Sequence, residues 1–140
     1  MKRPYRPMAS QSGFTLIELA VVIVLIGGIM AIAVNSIMNS RAKANYQLTQ
    51  TQLNLLAEKI SSYQSDVGSL PESLDALVTA PSNAEGWLGP YTTAKELKDK
   101  FGVAIEYRNP GTDAEFEVVS LGADKKAGGE GIDKDIVVKP

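Results

Sequence analysis

The hydrophobic pattern divides the chain into an apolar first part and an amphipathic second part. No residue between Leu19 and Ser40 is charged, and an α-helix needs roughly 20 apolar residues to cross the hydrocarbon core of a membrane. Farther along, apolar residues recur at helical spacing: Leu53, Leu56, Ala57, Ile60, Tyr63 and Val67. No helix breaker separates the two stretches, so the pattern predicts one long helix from about Phe14 to about Asp66, ending at Gly68.

Shorter elements follow this helix. Residues 72–78 follow Pro71 and fit a short helix, and residues 94–100 fit a further helical turn. The segment between them contains prolines and glycines and is predicted to be an ordered loop. We expect Trp87 and Tyr91 to pin this loop to a sheet.

The last third of the chain has the pattern of β-strands. Residues 103–108 and 115–121 are rich in strand formers, and the turn sequence at 109–113 predicts that they form an antiparallel hairpin. A brief third strand is predicted at 136–138. The predicted fold class is therefore α+β: a long N-terminal α-helix, with a transmembrane first half, packed on a small antiparallel β-sheet.

The charges indicate a membrane orientation. The chain has 14 basic and 16 acidic residues, and three of the basic ones, Lys2, Arg3 and Arg6, precede the apolar run. Because basic residues stay on the cytoplasmic side, residues 41–140 should lie on the opposite side. The part after residue 13 has a formal charge of −5 and shows no basic run, so a nucleic-acid partner is not expected.

The composition also excludes several kinds of chemistry. The chain has no cysteine and no histidine, which rules out thiolate nucleophiles, imidazole bases and zinc sites built from these residues. No spacing suggests a nucleophile with its base, and there is no phosphate-binding P-loop. The sequence therefore does not predict an enzyme.

The junction Gly13-Phe14-Thr15-Leu16-Ile17-Glu18 lies between the basic leader and the apolar run. A secretory signal peptide has its cleavage site after the apolar core, whereas here the best small residue, Gly13, lies before it. The junction resembles the type IV prepilin signal. That resemblance implies cleavage between Gly13 and Phe14, N-methylation of Phe14, and pairing of the new Phe14 amine with Glu18 of another subunit during assembly.

The C-terminal segment 121–136 contains four acidic residues and four glycines. Calcium is bound by 6–8 oxygen atoms from carboxylates and carbonyls, but these acidic residues do not follow the EF-hand spacing. The composition alone leaves a solvated loop and a metal site both open.

A resemblance over nearly the whole chain favours the metal site. The matching segments are 63–68, 86–91, 107–111, 120–124, 128–131 and 133–136, and they resemble the major pseudopilin family of type II secretion systems. This resemblance implies a Ca²⁺ site with Asp124, Asp133 and Asp135 as side-chain ligands and a carbonyl from Leu121. Asn35 departs from the family, where a proline is usual, and so does Lys100-Phe101-Gly102 in place of Pro-Trp-Gly.

The resemblance implies a domain organisation and a function. Residues 1–13 are expected to be a cleaved leader, 14–40 the transmembrane and assembly helix, and 41–140 a periplasmic domain. The expected function is that of the major structural subunit of a pseudopilus, made in the bacterial inner membrane, which polymerises to export folded proteins. Expected partners are other copies of the chain, the prepilin peptidase/methyltransferase, minor pseudopilins, the inner-membrane secretion platform and membrane lipid.

Two alternatives remain at this stage. A type IV pilin for adhesion, motility or DNA uptake would share the leader, helix and sheet, although many such pilins close the C-terminal loop with a disulfide. A membrane-tethered calcium-binding module that never polymerises would explain the loop but not the spacing of Gly13, Phe14 and Glu18.

Overall fold

The computed structural model describes residues 13–140, so the basic residues predicted to form the leader lie outside the described part. Within it the chain forms one long helix, α1 (Leu16–Val67), followed by three short strands and three 3₁₀ helices. It divides into two compact units, one ending at Met38 and the other spanning Asn39–Pro140. Each unit is described by itself below.

The first unit contains the apolar part of α1. Every residue from Gly13 to Met38 is exposed, and the most apolar window of α1 has a mean hydropathy of 2.8. Its length and composition are sufficient to cross a membrane. The helix is continuous through Gly27, Gly28 and Asn35, and side chains in place of either glycine would meet open space.

The end of α1 confirms the sequence prediction. Gly68 has φ +84°, a conformation that glycine adopts without steric cost. Its N–H donates to the Gln64 carbonyl at 2.8 Å, which satisfies one of the carbonyls left free at a helix C-terminus.

The second unit contains the sheet, whose strands are β1 (Glu106–Arg108), β2 (Glu117–Ser120) and β3 (Ile136–Val138). The order is β1-β2-β3, with both pairs antiparallel. The hairpin and the third strand are thus confirmed, but β1 is shorter than the predicted 103–108. The Ile105 N–H donates instead to the Leu97 carbonyl at 2.9 Å, so this residue leaves the β1–β2 ladder.

The short helices are also shorter than predicted. The segment predicted as a helix at 72–78 is a single 3₁₀ turn at Leu74–Leu77, because Ser73 is extended and its side chain makes no capping bond. The turn predicted at 94–100 is a 3₁₀ helix at Ala94–Leu97, closed by a capping box between Thr93 and Glu96. The third 3₁₀ helix is Gly131–Asp133.

The core of the second unit lies between α1 and the sheet. The buried face of α1 is the stripe that the periodicity predicts, and it packs in one cluster with residues of the 3₁₀ turn and the strands. The least exposed large side chains of this cluster are Leu53, Ile60, Leu77, Phe116 and Val118. The α+β fold class predicted from the sequence is confirmed.

Trp87 and Tyr91 pack against the core cluster that includes sheet residues, but their hydrogen bonds go to other elements. Trp87 Nε1 donates to the Ala76 carbonyl at 2.9 Å, and the Tyr91 hydroxyl donates to Asp66 Oδ2 at 2.7 Å. The Tyr91 ring also lies edge-on to Tyr63 of α1. The loop is therefore fixed to the end of α1 and to the first 3₁₀ turn.

Candidate functional site

The predicted cleavage point lies outside the helix. Residues 13–15 have no regular secondary structure, and both Gly13 and Phe14 are exposed. A peptide bond outside the hydrogen-bonded helix can adopt the extended form without breaking helical bonds. The structure therefore leaves the Gly13–Phe14 bond accessible.

Glu18 makes a local contact that the sequence analysis missed. The Thr15 N–H and the Thr15 hydroxyl both donate to Glu18 Oε2, at 2.8 and 2.9 Å. In return, the Glu18 N–H donates to Thr15 Oγ1 at 3.3 Å. This reciprocal pair is a capping box, which satisfies N–H groups that the first turn of a helix leaves free. The signal was visible in the sequence as Thr15-x-x-Glu18.

The capping box uses one carboxylate oxygen of Glu18. Both bonds from Thr15 go to Oε2, and Oε1 accepts no hydrogen bond from any residue between 13 and 140. Glu18 can therefore cap its own helix and still accept a bond from another chain.

The C-terminal loop is closed by its own backbone. The Asp135 N–H donates to the Gly128 carbonyl at 3.1 Å, and the Gly128 N–H donates to Asp135 Oδ2 at 3.0 Å. The Ala123 N–H donates to the Ile132 carbonyl at 3.0 Å. Two cross-loop ties therefore hold residues 123–135 in one compact turn between β2 and β3.

Carbonyl groups converge inside this loop. A Cβ atom on Gly122 would lie 2.7 Å from the Asp133 carbonyl oxygen and 2.9 Å from that of Lys134. A Cβ atom on Gly129 would also collide with the Asp133 carbonyl oxygen. Both glycines have positive φ. The close approach of these carbonyls explains why glycine occupies both positions.

The four predicted metal ligands differ in their surroundings. Asp135 Oδ1 is buried and has no hydrogen-bond partner among residues 13–140, whereas Asp124 is exposed and accepts the Lys126 N–H at 3.1 Å. Asp133 and Leu121 are half-buried. In the described part of the chain, no group of three or more acidic side chains is close enough to hold a metal ion. The buried, unpartnered oxygen of Asp135 is of the type that a hard cation such as Ca²⁺ binds.

Asp99 connects this loop region to α1, and sequence reasoning missed it. Its carboxylate accepts the Ser120 hydroxyl at 2.6 Å and the N–H groups of Phe101 and Val103 at 3.0 and 2.8 Å. The neighbouring Lys100 N–H donates to Thr49 Oγ1 at 3.2 Å. Ser120 directly precedes Leu121, so this buried network fixes the point where the C-terminal loop begins. Asp99 and Ser120 are distant in sequence, and no local pattern indicated their contact.

A second buried carboxylate fixes the hairpin and the C-terminal segment. Glu117 is 2% exposed and accepts the Thr112 N–H at 3.0 Å, while Lys139 Nζ lies 3.2 Å from Glu117 Oε1. Burial acts to raise the pKa of Glu117, but the Thr112 N–H and the Lys139 ammonium together outweigh it and lower the pKa below its ordinary value.

These features define a class: a subunit with a prepilin-type junction, an apolar anchor helix, and an α+β domain ending in a tied loop. A match to the family described as "Prokaryotic N-terminal methylation motif" covers residues 8–34. A match to the family described as "Type II secretion system (T2SS), protein G" covers residues 36–139. The chain belongs to the type II secretion system protein G family.

Individual relatives agree with this assignment. The chain is 42% identical over 128 residues to the type II secretion system core protein G of Xanthomonas campestris pv. campestris, covering 91% of this chain and 90% of the relative. It is 36% identical over 138 residues to the core protein G of Vibrio cholerae, covering 94% of this chain and 93% of the relative.

A solved structure agrees with the fold. The crystal structure of the major pseudopilin from the type 2 secretion system of enterohaemorrhagic Escherichia coli matches with a TM-score of 0.57. The match covers 71% of this chain and 90% of that one, at 24% sequence identity. At 24% identity the structural similarity shows the fold alone.

Proposed function

We propose that this chain is the major subunit of the pseudopilus of a type II secretion system, a fibre whose polymerisation drives the export of folded proteins. The single observation that supports this most is the paired family match, in which the methylation motif at 8–34 is followed by protein G at 36–139. The alternative of a type IV pilin is not favoured, because the relatives described above are core protein G.

Processing is proposed to occur at Gly13–Phe14. A prepilin peptidase/methyltransferase would cleave this bond and N-methylate the new Phe14 amine. The irregular, exposed backbone of residues 13–15 supports the proposal, because a protease must bind its substrate in an extended form. Cleavage leaves the apolar helix attached as the new N-terminal segment.

Assembly is proposed to use Phe14 and Glu18. The positively charged Phe14 amine of one subunit would meet the Glu18 carboxylate of another in a helical stack. The free Oε1 of Glu18 supports this, since the capping bonds from Thr15 occupy only Oε2. A carboxylate in an apolar environment is costly unless it is paired, so the pair would favour the assembled state.

The proposed location is the bacterial inner membrane, with a single crossing and residues 41–140 in the periplasm. The length and hydropathy of α1 support the anchor, and the basic leader supports the orientation. The proposed partners are further copies of the chain, minor pseudopilins and the inner-membrane secretion platform. The energy would come from a cytoplasmic ATPase, because this chain has no P-loop.

The C-terminal loop is proposed to bind Ca²⁺. Asp135 would be a ligand through its unpaired Oδ1, and the Leu121 carbonyl with the carboxylates of Asp124 and Asp133 would complete the set. Bound calcium would neutralise these carboxylates and link the two ends of the loop. The two hydrogen bonds between Gly128 and Asp135 already tie the middle of the loop to its C-terminal end, which reduces the ordering that binding would require.

Assembly in cells tests the proposal. Because the full chain lacks cysteine, single-cysteine pairs can be crosslinked without background, and the ladder of oligomers can be compared with secretion of an exported protein. We expect the Glu18→Leu variant to be inserted and cleaved but to give no ladder and no secretion. Glu72→Leu, the same change at an exposed position in the second unit, should give normal ladders.

Two results would contradict the proposal. Normal ladders from Glu18→Leu would overturn the pairing of Glu18 with Phe14. Normal secretion in cells that lack the chain would overturn the role in export.

A further inference from the structure

The exposed basic residues of the second unit are concentrated in two short stretches. After residue 13 the chain has 11 basic and 16 acidic residues, and five of the basic ones lie within 41–43 and 95–100. These five are all exposed: Arg41, Lys43, Lys95, Lys98 and Lys100. The last three line one surface depression and form the basic patch, whereas Arg41 and Lys43 lie on α1 nearer the apolar run. Outside these two stretches the second unit has 6 basic and 13 acidic residues, so the patch differs in sign from the rest of the unit.

The carboxylates near the patch already accept hydrogen bonds from other residues. Glu96 accepts bonds from Thr92 and Lys59, and Asp99 is buried with its three donors. None of the five basic side chains forms an ion pair with a carboxylate in residues 13–140, where the ion pairs involve Lys59, Arg108 and Lys139. The positive charge of the patch is therefore free to attract an external anion.

Backbone hydrogen bonds place the segment that carries the three lysines beside Thr49 and Gln52 of α1. The Lys100 N–H donates to Thr49 Oγ1 at 3.2 Å, and Gln52 Nε2 donates to the carbonyls of Glu96 and Lys98 at 2.7 and 2.8 Å. Thr49 is fully buried. The sequence did not indicate this arrangement, because only the fold brings residues 95–100 beside Thr49 and Gln52 of α1.

This end of α1 directly follows the apolar run. Arg41 comes next after Ser40, the last residue of the uncharged segment. At a rise of 1.5 Å per residue, Thr49 lies about 14 Å beyond Ser40 along the helix axis. The headgroup layer accounts for about 5–7 Å of this distance, which leaves Thr49 within about one Debye length of the lipid surface at physiological salt.

An apolar side chain accompanies the patch. Leu48 is 53% exposed and lines the same groove as Lys100. Basic side chains next to an exposed apolar one are typical of surfaces that bind at a lipid interface. This arrangement, together with the distance from Ser40, favours lipid over a protein partner.

We propose that the basic patch docks the unassembled, membrane-anchored subunit onto anionic phospholipid headgroups of the leaflet that faces the second unit. Docking would hold this unit against the membrane before assembly and would be released when the subunit enters a fibre. The inference rests on the anchor role of α1 in the proposed function, but it does not require polymerisation.

The experiment uses the full chain reconstituted in two kinds of vesicle, neutral phosphatidylcholine and phosphatidylcholine with phosphatidylglycerol. The Ala94→Cys variant provides a cysteine at an exposed position beside Lys95, and a fluorophore is attached to it. Lipid that carries a spin label on its headgroup quenches the emission of this fluorophore when the second unit lies close to the membrane. We expect stronger quenching in the anionic vesicles and loss of the difference at high salt. A lysine near an anionic surface contributes roughly fivefold to binding. The Lys98→Gln/Lys100→Gln variant should therefore lower the docked-to-undocked ratio roughly 25-fold.

A matched control separates local docking from net charge. Lys125 and Lys126 are also exposed and unpaired in residues 13–140, so Lys125→Gln/Lys126→Gln changes the net charge equally and should keep the quenching. Equal loss in both variants, or equal quenching in both vesicles, would overturn the proposal. Quenching that persists in neutral vesicles and increases with the protein-to-lipid ratio would overturn the docking proposal. It would indicate instead that the patch contacts a second copy of the chain.

Flotation of the vesicles at high salt tests the membrane anchor separately from the docking of the basic patch. A chain that fails to float has no stable anchor, which would overturn the membrane anchor of the proposed function and the docking with it. A chain that floats but shows no anionic-lipid dependence would overturn the docking alone.

Discussion

Asp135 and Gly128 exchange two hydrogen bonds across the C-terminal loop. The Asp135 N–H donates to the Gly128 carbonyl, and the Gly128 N–H donates to Asp135 Oδ2, at 3.1 and 3.0 Å. The second carboxylate oxygen, Oδ1, is buried without a partner among residues 13–140. A buried, unpartnered oxygen is destabilising, and this is the observation on which the proposed Ca²⁺ site rests.

Calcium should therefore stabilise the folded chain through Asp135. Sites of the extracellular type bind at about 10⁻⁴–10⁻³ M, and at ~1 mM calcium the tighter limit gives about 1.4 kcal/mol. For a domain of about 100 residues this raises the melting midpoint by several degrees. Thermal melting of the full chain in detergent, with calcium and then with excess chelator, measures the shift.

Variants localise the effect. Asp135→Asn should abolish the calcium shift, and Asp124→Asn tests the ligand predicted from the family resemblance. Asp75→Asn, an exposed position outside the loop, should leave the shift unchanged. The same rise with magnesium in place of calcium, or a full calcium shift in Asp135→Asn, would contradict the site.

The crowding at Gly122 gives a prediction that does not depend on metal. Gly122 and Gly102 have similar positive φ values, +69° and +81°, but a Cβ on Gly122 meets the Asp133 and Lys134 carbonyls, whereas one on Gly102 meets nothing within 4 Å. Both Gly→Ala changes should cost about 1 kcal/mol or more for the backbone conformation. Gly122→Ala should cost clearly more, which urea unfolding of the two variants measures. Equal losses would mean that the loop relaxes away from the added methyl group.

Much of the fold could be predicted from the sequence because its signals are local. The spacing of Leu53, Leu56 and Ile60 predicts the buried face of α1, and the Asn109-Pro110-Gly111 turn predicts the hairpin. The capping box of Thr15 and Glu18 is equally local, because the two residues stand three positions apart at the start of α1.

The remaining features depend on contacts between distant residues. Asp99 binds Ser120 from 21 positions away, and no periodicity indicates such a pair. Tyr91 was expected to contact the sheet but binds Asp66, 25 positions earlier. For the same reason the position of the basic patch beside Thr49 and Gln52 of α1 becomes visible only once the chain is folded.

The Asp99–Ser120 pair should contribute measurably to stability. Ser120→Ala removes the hydroxyl that donates at 2.6 Å to a buried carboxylate, which costs about 1–3 kcal/mol when the acceptor stays unpaired. Asp99→Ala should cost more, because the N–H groups of Phe101 and Val103 also lose their acceptor. A double-mutant cycle by urea unfolding gives the coupling free energy between Asp99 and Ser120.

Additive losses of stability in this cycle would show that the two residues act independently. Ser65→Ala, at an exposed position of α1, serves as the control.

The stability of the chain should also respond to acid through Glu96. The bonds from the Thr92 hydroxyl, the Lys59 ammonium and the Thr93 N–H lower the pKa of Glu96 from 4.5 to about 2. Because the folded pKa lies below the unfolded one, the contribution is fully present above about pH 4.5 and is lost as the pH falls toward 2. The Glu96 side chain is 49% exposed, so screening by water limits the contribution to less than about 1 kcal/mol.

Comparing wild type with Glu96→Gln tests this dependence. The difference in melting midpoint between the two should be constant near neutral pH and should shrink between pH 4.5 and 2. Glu58→Gln, an exposed position of α1 whose side chain accepts no hydrogen bond from residues 13–140, controls for the loss of one acidic group. A difference for Glu96→Gln that stays constant down to pH 2 would show that the Thr92 and Lys59 contacts do not depend on the charge of Glu96.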